Sequence, residues 1–230
     1  MIHVLFTYLT SENNDEFFAN AQHNFSDDFI NKVSKYKRWQ DAKSTILGRL
    51  LLGYGLKHFY NQDVENIKMD FSKDKKPFLE NSSIHFNISH SKELVVCAIS
   101  SMEAIGIDVE KISDLNIEDF KDQFSKTEIA RMQNSSNSIK SFYQHWTQKE
   151  AIVKANGSGL NIPLSSFEVK DDQVIISNQS YYLKEIPLNP RYICNVATQN
   201  VIFDNEIALT NLTADSITYF ESCNNFKSFI

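Results

Sequence analysis

Three acids and a lysine stand at spacings that suit phosphate chemistry. In "AIGIDVEKI" (104–112), Ile105, Ile107 and Val109 alternate with Gly106, Asp108 and Glu110. That period of two predicts a strand with Asp108 and Glu110 on one side, beside an apolar face. Carboxylates held so close repel each other, and near a core their charge is expensive. A hard divalent cation such as Mg²⁺ would relieve the repulsion, because these donors are oxygen only and no histidine is near in sequence. A solvated strand face, with an acid paired to Lys111, fits the same residues. Further on, Trp146, Glu150 and Lys154 of "HWTQKEAIVKA" are spaced four and four and share one helical stripe. Glu150 could supply a third carboxylate, and Lys154 a positive charge one turn on. By spacing alone, an i,i+4 salt bridge on a solvated face serves equally well.

A third group is "HFNISHS" (85–91). Its alternation turns Phe86 and Ile88 to a core and Asn87 and Ser89 to the other side. His90 and Ser91 then end the strand, where side-chain and backbone donors can meet a phosphate. The adjacent Ser and His do not make a hydrolase, since no G-x-S-x-G elbow is present. Neither a G-x-x-x-x-G-K-[ST] loop nor a G-x-G-x-x-G turn occurs, which removes the usual nucleotide-binding routes.

Charge is unevenly placed. The net charge of −6 argues against a general nucleic-acid binder. Yet from Lys32 to Lys76 there are 11 Lys and Arg against 5 Asp and Glu. This local excess predicts either a solvated helix face or an anionic, phosphate-rich ligand. Cys97, Cys194 and Cys223 are odd in number and far apart, so a reducing compartment is expected and no zinc spacing is present. The opening "MIHVLFTYLTSENND" lacks a cationic lead and reads as a strand, not a signal peptide. No apolar run approaches the roughly 20 residues of a membrane span. The expectation is a cytoplasmic globular protein.

The elements that must position these residues follow from periodicity. A strand is predicted over 2–9, and a long helix over 39–60 from Ile46, Leu47, Leu50, Leu51 and Tyr54. Gly48 and Gly53 mark close packing or a weak point in that helix. "KDKKPFL" (73–79) is a basic turn, because Pro77 turns Lys76 away from helix. Residues 85–100 read as a hairpin of two strands, with the 104–110 strand directly after it. A helix is predicted over 116–132, and the capping-box spacing of Ser125 and Glu128 starts a second helix inside it. Residues 133–138 form a polar loop. A strong helix spans 139–160 and ends at Gly157 and Gly159. Short strands follow from Ser165 to about Thr210, and the last residues carry no clear pattern. Each half thus holds an amphipathic helix and several strands, an α+β plan of two lobes.

In this order, "KKPFL", "HFNISHS", "GIDVEKI", "FSKTE" and "WTQKEAIVKANGSGL" resemble the 4′-phosphopantetheinyl transferases, specifically the long single-chain type that serves peptide and polyketide synthetases. The likeness runs from Lys32 to Cys194. G-I-D-x-E followed by W-x-x-K-E-x-x-x-K is specific as a combination, although neither piece is so alone. The resemblance implies a pseudo-dimer of two similar α/β lobes, residues 1–102 and 103–230, with coenzyme A in the cleft between them. It implies Mg²⁺ held by Asp108, Glu110 and Glu150. It implies coenzyme A contacts at Lys32, Lys76, Ser89, His90 and Lys154, with the 3′-phosphate near Ser89 and His90. Members often carry Arg in the segment matching "DAKSTILG"; here that position is Ser44, and its neighbour Lys43 is the candidate substitute, one helical step away.

The implied reaction moves the 4′-phosphopantetheine arm of coenzyme A to a serine of an acyl or peptidyl carrier domain. Lys154 would stabilise the leaving phosphate. Glu150, directly or through water, is the expected base, with Glu128 as runner-up. Lys149 is expected in a structural or phosphate-contact role, and Trp146 in packing. The partner is a small, helical, acidic carrier, for which Phe120, Phe124, Ile129 and Met132 are a candidate dock. A monomer is implied, since one chain supplies both lobes, and neither nucleic acid nor membrane is expected as a partner. Two alternatives share the same residues: a silent coenzyme A or carrier-binding module, and a Mg²⁺-dependent pyrophosphate hydrolase.

Overall fold

The computed structural model of the protein describes residues 1–11 and 14–228. The first lobe begins with β1 (Ile2–Tyr8), α1 (Asn14–Asn24), α2 (Asp27–Val33), α3 (Trp39–Tyr60), β2 (Met69–Phe71), β3 (Pro77–Leu79), β4 (His85–Ser91) and β5 (Leu94–Ser100). There follow β6 (Ile105–Lys111), α4 (Lys126–Gln133), α5 (Ser138–Asn156), β7 (Gln173–Ile176), β8 (Gln179–Glu185) and β9 (Tyr192–Thr198), and finally β10 (Ile207–Asn211) and α6 (Ala214–Ser222). The helix predicted over 39–60 and the strands predicted over 2–9, 85–100 and 104–110 are present. The predicted 116–132 helix is broken into a 3-10 stretch, Ile117–Gln123, and α4. The capping box forms as its spacing implied, Ser125 and Glu128 each accepting the other's backbone N–H. The last long helix stops at Gly157, whose φ of 84° suits a residue without Cβ.

Two main sheets are ordered β10-β1-β5-β4 and β6-β9-β8-β7. Inside each runs the same path: a strand, a long helix, then a hairpin whose last strand inserts between the other two. In the first lobe these are β1, α3, β4 and β5, and in the second β6, α5, β8 and β9. The α+β plan of two lobes is this repeat. Between the sheets, Val4, Val96, Ile107, Val109 and Val196 form a shared apolar layer. Helix α3 covers the outer face of the first sheet, and α5 packs with β8 and β9 residues on the second. The tail returns to the first lobe. β10 pairs parallel with β1, and Leu212, Ile217 and Phe220 join the core around α3. A division at 102/103 leaves residues 207–222 with the second lobe, whereas in the structure they complete the first.

The two lobes meet along an edge. On one side β6 pairs with β9; on the other, its N–H groups face side chains of β4 instead of a strand. Asn87 Oδ1 accepts from Ile107 N at 2.9 Å, Ser89 Oγ from Val109 N at 3.4 Å, and Ser91 Oγ from Lys111 N at 3.1 Å. The series continues past the turn: Glu93 accepts from Lys111 Nζ at 2.9 Å and from the Tyr192 hydroxyl at 2.6 Å. Residues 87, 89, 91 and 93 are thus a clasp with strand period.

Close approach elsewhere depends on glycine. A Cβ on Gly106 would lie 2.0 Å from the Ala151 carbonyl oxygen and 2.3 Å from Ala155 N, backbone atoms of α5 that cannot move aside. Gly48 lets α3 settle on β4, where Ile88 Cγ2 would be 2.7 Å from an added Cβ.

Gly106→Ala should therefore destabilise the chain by about 3 kcal/mol or more, read as a lowered urea midpoint or as insoluble expression. The Glu93 carboxyl is lowered to about 2, first by the Tyr192 hydroxyl and then by Lys111. A depressed carboxyl adds stability above its unfolded value, and that stability is lost as pH falls toward the folded one. Glu93→Gln should thus lower the melting temperature at pH 7, and the difference from the wild type should vanish between about pH 4.5 and 2.

Candidate active site

Helix α5 and strand β6 bring the acids together because Gly106 lets them touch. On β6, Gly106, Asp108 and Glu110 turn toward α5, while Ile105, Ile107 and Val109 fill the layer between the sheets. Asp108 is buried, and its Oδ1 accepts from Lys154 Nζ at 2.5 Å and from Ser89 Oγ at 2.9 Å. Its other oxygen, Oδ2, is buried and has no hydrogen-bond partner. Glu110 Oε2 accepts from Ser91 Oγ at 2.6 Å. Burial, and to a lesser degree the Asp108 charge, pushes Glu110 above the usual carboxylate range, against the pull of Ser91. Glu150 is raised by burial first and by Asp108 second. The three acids therefore feel one another, with Lys154 as the shared cation.

Beside them opens a cleft of about 580 Å³, lined by Lys75, Lys76, Asn87, Trp146, Glu150 and Lys154 among others. Its volume is that of an ordinary small-molecule site. A smaller hollow of about 150 Å³ lies between β1, α1, α3 and α6.

The remaining candidates are dispersed. Lys76 reaches the cleft wall, but its ammonium caps α5, donating to the carbonyls of Lys154 at 2.5 Å and Ala155 at 3.2 Å. Burial lowers it to about 8. Lys32 rests on the Phe71 ring at 4.7 Å, and the strand partner of Phe71, Pro77, lines the cleft, so Lys32 lies toward its rim. Lys43 is not brought to the cleft. It lines the smaller hollow, donating to the Thr10 carbonyl at 2.8 Å and Asn14 Oδ1 at 2.9 Å. Ser89 and His90 point to opposite faces of β4. The Ser89 hydroxyl already serves Asp108, Val109 and Lys154. His90 is exposed; burial of its ring atoms lowers its pKa, and Asp41 of α3 raises it.

Glu128 is no free base. It is fully buried and pairs with the equally buried Lys149 at 3.0 Å, while accepting from Ser125 N. Lys149 also donates to the carbonyls of Leu164 and Phe167 at 2.7 and 2.5 Å, so its role is structural. Trp146 packs among Phe120, Phe124 and Phe142, as expected. The proposed apolar dock is largely core: Phe124 and Met132 are buried, and Phe120 and Ile129 pack against them. Spacing leaves Asn87 and Glu93 unassigned and places Ser91, beside His90, as a phosphate donor, whereas all three belong to the clasp on β6. Their signal is the polar alternation running through "HFNISHSKE".

Among the described residues no group of three or more His, Cys, Asp and Glu is preassembled as a metal centre. No helix is long and apolar enough to cross a membrane.

Known proteins match along most of the chain. A family model described as the 4′-phosphopantetheinyl transferase superfamily matches residues 104–210, and one described as the N-terminal part of 4′-phosphopantetheinyl transferase matches residues 12–102. The chain is 33% identical to the 4′-phosphopantetheinyl transferase gsp of Aneurinibacillus migulanus, over 98% of this chain and 95% of the relative. It is 32% identical to the 4′-phosphopantetheinyl transferase Sfp of Bacillus subtilis, over 88% and 93%. A 29% match covers 66% of this chain and 55% of the L-aminoadipate-semialdehyde dehydrogenase-phosphopantetheinyl transferase of Xenopus laevis.

Removing Lys149 would strand Glu128 as a buried, uncompensated charge. Lys149→Ala should cost about 3–5 kcal/mol of stability, measured by denaturant unfolding.

Proposed function

The chain belongs to the 4′-phosphopantetheinyl transferase superfamily, whose members use coenzyme A to activate carrier proteins, and we propose that its interlobe cleft performs this transfer with Mg²⁺ held by Asp108, Glu110 and Glu150. One observation carries the metal reading: the buried Asp108 leaves Oδ2 without a partner amid two further acids that its charge acts on. An oxygen-only donor set of this kind suits a hard divalent cation. When bound, that cation would neutralise pyrophosphate charge and hold the reacting groups in line.

The chain's own residues supply the rest. Coenzyme A carries a pyrophosphate, and a carrier serine hydroxyl attacks the phosphorus nearer the pantetheine. The bond from that phosphorus to the bridging oxygen breaks, and adenosine 3′,5′-bisphosphate leaves. Glu150 lines the cleft with its carboxyl raised by burial, which suits a base that takes the serine proton. Lys154, one turn further along α5, offers its ammonium to the departing phosphate; Asp108 and Ser89 fix its position meanwhile. Lys32, Lys75 and His90 are the exposed cations and donors available to the 3′-phosphate. Lys76 contributes by holding the end of α5 in place. The family resemblance points to peptide or polyketide synthetase carriers as the first substrates to try. Both walls of the cleft come from one chain, which supports a monomer.

Incubation with apo-carrier, coenzyme A and Mg²⁺ should add the phosphopantetheine mass to the carrier, seen by mass spectrometry. Asp108→Ala should slow this on the order of 100-fold or more with an unchanged circular dichroism spectrum. Adenosine bisphosphate released without carrier modification would mean hydrolysis, and no product at all would mean a binding module.

A further inference from the structure

The acids that would hold the cation sit on the second lobe, but two of them are held by hydroxyls of the first. Ser89 and Ser91 both stand on β4, two residues apart, opposite Asp108 and Glu110 on β6. Each hydroxyl has one proton to give and two lone pairs to receive with. Ser91 accepts the Lys111 N–H at 3.1 Å, which fixes the oxygen, and gives its proton to Glu110 Oε2 at 2.6 Å. Ser89 repeats the pattern with Val109 N and Asp108 Oδ1. The cases differ in redundancy. Asp108 is buried and is also gripped by Lys154, whereas the half-buried Glu110 has Ser91 as its one side-chain hydrogen-bond partner among the described residues. A glutamate with one anchor and three rotatable bonds has several places to go once that anchor is gone.

Resting on the transferase reading above, we propose that Ser91 is a positioning residue that aims the Glu110 carboxylate into the cation site from the opposite lobe. It touches neither coenzyme A nor the carrier serine. Its effect passes through Glu110, as outer hydrogen bonds to metal-binding carboxylates commonly do. The first lobe thereby controls how well the second binds its ion, and any movement of β4 against β6 alters the site.

The test uses the intact chain and Mn²⁺ as the probe, with free ion counted by electron paramagnetic resonance in the absence of coenzyme A and carrier. Ser91→Ala should weaken Mn²⁺ binding about tenfold, and Ser91→Thr, which keeps the hydroxyl, should restore most of it. In turnover, Ser91→Ala should need more Mg²⁺ while the carrier KM stays at the wild-type value. Glu93→Gln loosens the same clasp but leaves Asp108, Glu110, Glu150 and their hydrogen bonds in place, and should bind Mn²⁺ normally. Should the alanine variant not fold, Ser91→Cys, nearly isosteric and a poor donor, carries the same expectation. Wild-type affinity in Ser91→Ala, or an equal loss in Glu93→Gln, would overturn the assignment. A wild-type chain that modifies no carrier and binds no Mn²⁺ would instead remove the transferase reading itself.

Discussion

The open edge of β6 is the constraint from which the rest of the site follows. That strand carries Asp108 and Glu110 on the face toward α5, and its inner pairing is used by β9. Its outer N–H groups would lie bare between the lobes, each costing about 1–3 kcal/mol if buried without a partner. Another strand there would satisfy them but would also merge the two sheets into one and shut the cleft. Side chains of β4 satisfy them instead, through Asn87, Ser89 and Ser91. Short polar side chains are required at alternate positions, because only these reach a neighbouring backbone while β4 keeps its own pairing with β5. The lobes are consequently joined by a ladder that also grips the acids.

Everything on the other side of β6 concerns the approach of α5. Gly106 admits the helix backbone, Lys76 crosses from the first lobe to cap its final carbonyls, and Lys154 pairs with Asp108. The far face of α5 is locked by Lys149, whose burial is tolerated because Glu128 and two carbonyls occupy its protons. Two lysines five residues apart on one helix thus do unlike work. Lys149 and Lys154 both belong to the W-x-x-K-E-x-x-x-K run, but only the second faces the cleft, because the helix turns the first toward α4.

Much of this was legible in the residues. Strand period put Asp108 and Glu110 together, helical period put Glu150 and Lys154 on one stripe, and the Ser125–Glu128 spacing located a helix start. What was not legible depends on long-range pairing. Nothing in "IALTN" says that β10 will pair with β1 rather than stay with β9, since parallel partners far apart in sequence leave no local mark. Asn87 receives a side but no partner, and Ser91 reads as a phosphate donor, because alternation tells only which side a residue is on, never what covers that side. The aromatic residues of 120–132 offered the reverse ambiguity: amphipathic spacing suits a dock and a core equally, and here they pack on Phe142 and Trp146.

The basic excess between Lys32 and Lys76 shows why a charge count is a weak guide to an anion site. Lys43 is used to tie α3 to the segment before α1, Arg49 is buried in α3, and Lys76 is bound to helix carbonyls. All three are committed to the protein's own groups or buried, Lys43 and Arg49 within the first lobe and Lys76 across to α5 of the second. The exposed members, such as Lys32, Lys73 and Lys75, are the ones free to meet a phosphate. Position 44 illustrates the same point: Ser44 is buried, and Lys43 beside it turns to the smaller hollow, where Thr10 and Asn14 take its protons. On the transferase reading proposed above, the cations left for a phosphate are the few near the cleft rim together with Lys154, whose ammonium Asp108 and Ser89 keep in place.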